Sequence, residues 1–254
     1  MHRFFVSPSC ITKAAVYFPM EVSRQIATVL HLRSGQRVMI LDNAGTESEV
    51  ELEIVAPRTT EGRILASRPT ENEPSPHLQL YLGLTQREKF EWILQKCTEV
   101  GVAGFSPVIS SRSLVQSPEE SGARQDRWQR ILQEAAEQSG RGRIPTLAAP
   151  LRWDEALAQF RSLGDPGLIA WEGEKAMRIS RALAPGEGSA SHLAGAAALH
   201  LAIFIGPEGG YSETEVSQAQ TAGLVPVTLG KRILRMETAA VVAVALILHE
   251  FNEL

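Results

Sequence analysis

The stretch Leu201-Ala-Ile-Phe-Ile-Gly-Pro-Glu-Gly-Gly-Tyr-Ser212 decides how the rest of the chain is read. Leu201 to Ile205 is a short continuous apolar run, the pattern of a strand buried on both faces in a parallel sheet. It stops at Gly206-Pro207-Glu208-Gly209-Gly210, where proline pre-sets one backbone angle and glycine permits positive φ and close backbone approach. Ser212-Glu213-Thr214-Glu215 then fits a capping box, with the Ser212 hydroxyl on helical N–H groups and Glu215 reaching back. In open α/β sheets such a strand end is where ligands meet exposed backbone donors. The spacing here is neither a phosphate loop nor the G-x-G-x-x-G fingerprint. Taken alone, the stretch also fits a plain β–α turn that binds nothing.

A second punctuation follows in Val227-Thr-Leu-Gly-Lys-Arg-Ile-Leu-Arg-Met-Glu-Thr-Ala-Ala240. A short strand ends at Leu229-Gly230, a basic and apolar segment runs from Lys231 to Arg235, and an apolar run extends from Ala239 to Leu248. The pair Ile205–Ser212 and Leu229–Ala239 resembles the RsmE family of 16S rRNA (uracil-N3)-methyltransferases in the SPOUT superfamily. The runs Lys89–Val102 and Glu134–Arg141 are similar to that family as well. The resemblance implies S-adenosyl-L-methionine as cofactor, a C-terminal trefoil knot that holds it, a PUA-like N-terminal barrel that grips RNA, and a homodimer. Its partner would be 16S rRNA, within the small ribosomal subunit. Knots are otherwise nearly absent from proteins, so only the resemblance suggests one.

The remaining chain is consistent with two domains. Residues 1–70 alternate short strands with one helical pattern, Glu21–His31, in which Val22, Ile26, Val29 and Leu30 share a face. Pro69–Pro76 is polar and proline-rich, a linker composition. From His77 onward, strand patterns alternate with helical ones at Arg87–Val100, Gln125–Ser139, Trp153–Leu163 and Glu237–Glu250. That alternation predicts an α/β domain over 77–254 with a mostly parallel sheet. Cys97 falls in the apolar stripe of its helix and reads as a small core residue. The segment Pro185–Gly195 is rich in Gly, Ser and Ala and reads as a loop or insertion without an assigned role. The last helix is apolar nearly all round, as expected of one buried on more than one side.

Composition excludes several classes. A net charge of −4 over 254 residues is not that of a generally basic nucleic-acid binder. Any RNA contact therefore depends on a local basic patch, with salt-sensitive affinity. Two cysteines, Cys10 and Cys97, are too few for a disulfide framework, and no metal-ligand spacing appears. No signal-peptide core and no apolar run of about 20 residues is present, so the expected compartment is the cytoplasm.

Adenosylmethionine needs an apolar slot for adenine, backbone groups for its edge and acceptors near the sulfonium. The candidate cofactor residues are Trp171, Glu172, Gly206, Pro207, Glu208, Gly209, Gly210, Leu229, Gly230, Ile233, Leu234, Arg235, Thr238 and Ala239. Uridine N3 carries a proton that must leave before methylation. Arg235 is the candidate for favouring the uracil anion by charge, and Glu208 or Glu237 the candidate proton acceptor. Candidate RNA contacts are Arg3, Arg24, Arg33, Arg112, Gln138, Ser139, Arg141 and Arg143. Two other classes stay open on the residues alone: an unknotted enzyme using another nucleotide, and a non-catalytic RNA binder.

Overall fold

A computed structural model describes residues 1–116, 124–184 and 200–254. The loop expected at Pro185–Gly195 lies outside the described residues. The chain divides into two compact units, one of 1–73 with 133–144, the other of 74–132 with 145–254. The segment Gln133–Ile144, read above as part of the second domain, thus clusters with the first unit.

The first unit is a five-stranded sheet in the order β1-β3-β4-β5-β2. Its strands are β1 (Arg3–Phe5), β2 (Ala15–Phe18), β3 (Arg37–Leu41), β4 (Thr46–Ala56) and β5 (Thr59–Pro69). β1 runs parallel to β3; the other pairings are antiparallel. Period-two alternation sends Phe4, Val16, Phe18, Val38, Ile40, Val50 and Leu52 into one core. Phe5 and Leu41 point the other way, onto Ala136 and Ile144. The expected Glu21–His31 helix is a short α-helix, α1 (Met20–Arg24), that widens into a π turn over Gln25–Val29. His31, at φ +51°, follows it.

The second unit is a parallel sheet in the order β12-β10-β11-β6-β7-β8, with β9 beside β7. Its elements are β6 (His77–Gly83), α2 (Arg87–Val100), β7 (Gly104–Ile109), α3 (Gln125–Ser139, shared between the units), β8 (Thr146–Leu147), β9 (Leu151–Arg152), α4 (Trp153–Leu163), β10 (Gly167–Ala170), α5 (Ile179–Leu183), β11 (His200–Ile205), α6 (Glu213–Thr221), β12 (Leu224–Val227) and α7 (Met236–Glu250). The continuous apolar run of β11 lies between β10 and β6, parallel to both. On one face, Phe204 stacks on Tyr81 with ring centroids 4.1 Å apart, and Trp153 and Phe160 meet it edge-on. On another side α7 packs against β11 and α2. Cys97 is fully buried and its thiol is pushed up by that burial.

One contact ties the sheet to the glycine turn. Gly83 ends β6 directly beneath Gly206-Pro207: a Cβ there would meet Pro207 N at 2.5 Å and Gly206 C at 2.9 Å. Both neighbours are backbone, which cannot swing aside. Gly83→Ala should therefore lower stability by about 2 kcal/mol, read as a melting midpoint lower by several degrees. An unchanged midpoint would mean that the turn is free to shift.

Candidate functional site

β10, β11 and β12 are neighbours in one parallel sheet, so their carboxyl ends lie side by side. The segments leaving them, beginning at Trp171, Gly206 and Thr228, enclose a cavity of about 510 Å³. That is within the range of roughly 300–1,000 Å³ usual for small-molecule sites. Backbone bonds link the segments after β10 and β12 and close the glycine turn on itself. Trp171 N donates to Val227 O at 3.1 Å, Thr228 N to Met177 O at 2.8 Å, and Gly210 N to Pro207 O at 2.9 Å.

The glycines here fit closely against their neighbours, and one of them has a backbone angle that favours glycine. A Cβ on Gly206 would sit 3.2 Å from the Tyr211 ring, and one on Gly209 would sit 3.0 Å from Arg112 Cβ. Gly210 has φ +66° and the Glu172 carboxylate against it. By contrast, a Cβ on Gly230 would meet no protein atom within 4 Å, although Gly230 lines the cavity. Aliphatic groups from Ile205, Leu229, Leu234, Met236 and Ala239 supply an apolar wall, and Ile233 stands 88% exposed at the rim.

Most charged groups around the cavity are cationic: Lys89, Lys175, Lys231, Arg232 and Arg235 against Glu172, Glu208 and Glu237. Glu208 is already engaged. Burial alone would raise its carboxyl, but hydrogen bonds from Thr85 and its own backbone, and from Lys89 at 3.1 Å, hold it below its ordinary value. A carboxylate so occupied is a poor proton acceptor. Arg235 is the N-cap residue of α7 and its side chain caps nothing. The first-turn N–H groups of that helix, which lack intrahelical acceptors, therefore begin at the cavity wall.

The loop after β7, two strands from β11, braces the glycine turn and the helix that follows it. Glu215 Oε1 accepts Ser111 N–H at 2.8 Å, while its Oε2 accepts Ser212 N–H at 2.8 Å and the Ser212 hydroxyl at 2.9 Å. The capping box expected from the sequence is present. From the same loop, Arg112 Nη1 donates to Gly209 O at 3.0 Å.

The family model for the RNA methyltransferase domain matches residues 71–248. The ribosomal RNA small subunit methyltransferase E of Synechocystis is 32% identical, over 96% of this chain and 76% of its own length. The chain belongs to the ribosomal RNA small subunit methyltransferase E family. The Bacillus subtilis member is 31% identical over 98% of this chain and 97% of its own. The Neisseria gonorrhoeae member, solved bound to S-adenosyl methionine, superposes with a TM-score of 0.84 at 31% identity, covering 97% of this chain and 96% of that one.

Of the residues singled out from the sequence, Trp171, Glu172, Gly206–Gly210, Leu229, Gly230, Ile233, Leu234, Arg235, Glu237 and Ala239 line the one cavity. Thr238 does not; it is exposed on the first turn of α7. The RNA set is scattered. Arg24, Arg33, Arg112, Gln138 and Arg143 are exposed, although Arg143 donates to Ala44 O at 2.7 Å. Arg3 pairs with Glu47 at 2.8 Å, and Ser139 donates to Ala135 O at 2.7 Å. Arg141 is only 3% exposed and pairs with Glu73 at 2.7 Å, so it cannot reach a phosphate without breaking that latch. Thr85 and Lys89 escaped the sequence reading. Their only signal is position, just after a parallel strand and at the start of the following helix.

Burial alone would raise Glu215, but the hydrogen bonds from Ser111 and Ser212 hold it below the ordinary 4.5. A depressed carboxyl contributes stability above its ordinary value and loses that contribution as pH falls through the lowered one. Glu215→Gln should therefore cost about 1–2 kcal/mol at pH 7. The gap from wild type should narrow in urea melts run below about pH 4; a pH-independent gap would contradict this.

Proposed function

We propose that this protein is an S-adenosylmethionine-dependent methyltransferase that methylates N3 of a uridine in 16S rRNA during small-subunit maturation in the cytoplasm. The observation that carries the reading is the cavity where three adjacent strand ends meet the start of α7, in a chain of this family. Its residues fit the cofactor. Aliphatic side chains and the backbone of 229–234 suit an adenine slot, the glycine turn permits close approach, and Glu172 offers an anion to a cationic ligand. When bound, adenosylmethionine supplies an electrophilic methyl group on its sulfonium.

The chain's own residues handle the uracil. Arg235 holds its guanidinium toward the base and stabilises the anion left when the N3 proton departs. The unpaired N–H groups at the start of α7 favour the same negative charge. Glu237 accepts the N3 proton, because Glu208 is held by Thr85 and Lys89. Arg112, hooked onto Gly209, faces the incoming strand.

The finer architecture follows from the same reading. The path from edge strand β12 through Thr228–Arg235 back to α7, on β11 and α2, supports a trefoil knot; the Arg178–Thr228 bridge lies on it. The first unit is a PUA-like barrel whose exposed Arg24, Arg33, Gln138 and Arg143 contact RNA. The chain acts as a homodimer through the outer side of α7, where Leu246 is 39% exposed.

With labelled methyl donor and small-subunit RNA or subunits, label should appear on N3 of one uridine. No label, or label on another atom, would overturn the reading. Arg235→Ala should lower turnover about 10²-fold while cofactor affinity stays within about threefold. Equal loss of both, or of neither, would refute the assigned role.

A further inference from the structure

Glu172 follows the carboxyl end of β10 in an unusual setting. A Cβ on Gly210 would meet Glu172 Oε1 at 2.7 Å and Oε2 at 3.2 Å. The exposed Glu172 carboxylate thus lies against the backbone of the glycine turn, on the cavity wall. Among the described residues no donor pairs with the carboxylate; Lys175 Nζ is bonded to the Glu172 main-chain carbonyl instead. The contrast with Glu208, which holds both a hydroxyl and an ammonium, is direct. Of the three carboxylates on the cavity wall, Glu208 is thus neutralised by the protein, Glu237 stands on the first turn of α7, and Glu172, after β10, is left for a ligand.

We propose that Glu172 is a specificity-determining residue that pairs with the sulfonium of adenosylmethionine and so favours the methyl donor over its demethylated product. The inference rests on the function proposed above and deepens it. In methyl transfer the carbon–sulfur bond breaks and a carbon–nitrogen bond forms at uridine N3. The bonding pair stays on sulfur as a neutral thioether, and the N3 proton passes to a carboxylate. Sulfur loses one positive charge, whereas the α-ammonium of the ligand keeps its own. An anion beside sulfur registers that change; an anion beside the ammonium does not. With Glu172 at the sulfur, the spent ligand loses its counter-charge and leaves more readily.

The test is calorimetric titration of wild type, Glu172→Gln and Glu172→Asp with adenosylmethionine and with adenosylhomocysteine. The amide keeps the shape of the side chain and removes its charge. Its Kd for adenosylmethionine should rise about tenfold while that for adenosylhomocysteine changes less than about twofold. Glu172→Asp should keep part of the preference. In wild type, the preference should narrow as salt rises, a reading that needs no variant. Equal weakening of both ligands, no weakening of either, or a salt-independent preference would overturn the proposal. Wild type that binds neither ligand would instead bring down the proposed function itself.

Discussion

Parallel alignment of neighbouring strands is the constraint on which the site depends. Trp171, Gly206 and Thr228 are far apart in the chain, yet β10, β11 and β12 share one direction and adjoin. Their exits must therefore open at the same edge of the sheet. The stacked Tyr81–Phe204 pair and the edge-on Trp153 and Phe160 keep β11 seated beside β6, and Gly83 lets the turn settle onto the end of β6. Burial of these apolar faces is the force that holds the loops in register.

Charge is distributed with a similar economy. In the first unit, carboxylates organise the arginines. Glu47 takes Arg3 and Arg68, and Glu73 takes Arg141 together with the Gly142 and Arg143 N–H groups. These pairs hold local structure and leave fewer cations for a nucleic acid than a count of arginines suggests. In the second unit the cavity keeps an excess of cations, with Glu208 neutralised and Glu172 unpaired. A mostly basic wall with Glu172 and Glu237 left open suits a polyanionic substrate alongside a cationic donor.

Much of this was legible in the sequence because it is local. The apolar run of β11 has both faces buried. The Ser212/Glu215 box forms as its spacing dictates, and α2 ends at Gly101 with φ +127°. The glycine turn and residues 229–237 line the same cavity. What escaped is non-local. Nothing in the pattern of α3 indicates that Ala136 packs on Phe5 and Leu41, because a continuous amphipathic helix does not announce where its neighbours change. The Thr85–Glu208–Lys89 link joins positions more than a hundred residues apart. Arg141 read as a basic loop residue because its burial comes from Glu73, on a distant segment.

If the three strand exits act together as one ligand site, a bound ligand should quieten all three at once. Hydrogen–deuterium exchange of the wild-type chain, with and without adenosylmethionine, tests it most directly. Added protection is expected in the segments following β10, β11 and β12 together, around residues 171–175, 206–210 and 229–235. Protection of one segment alone, or of a region away from all three, would contradict it.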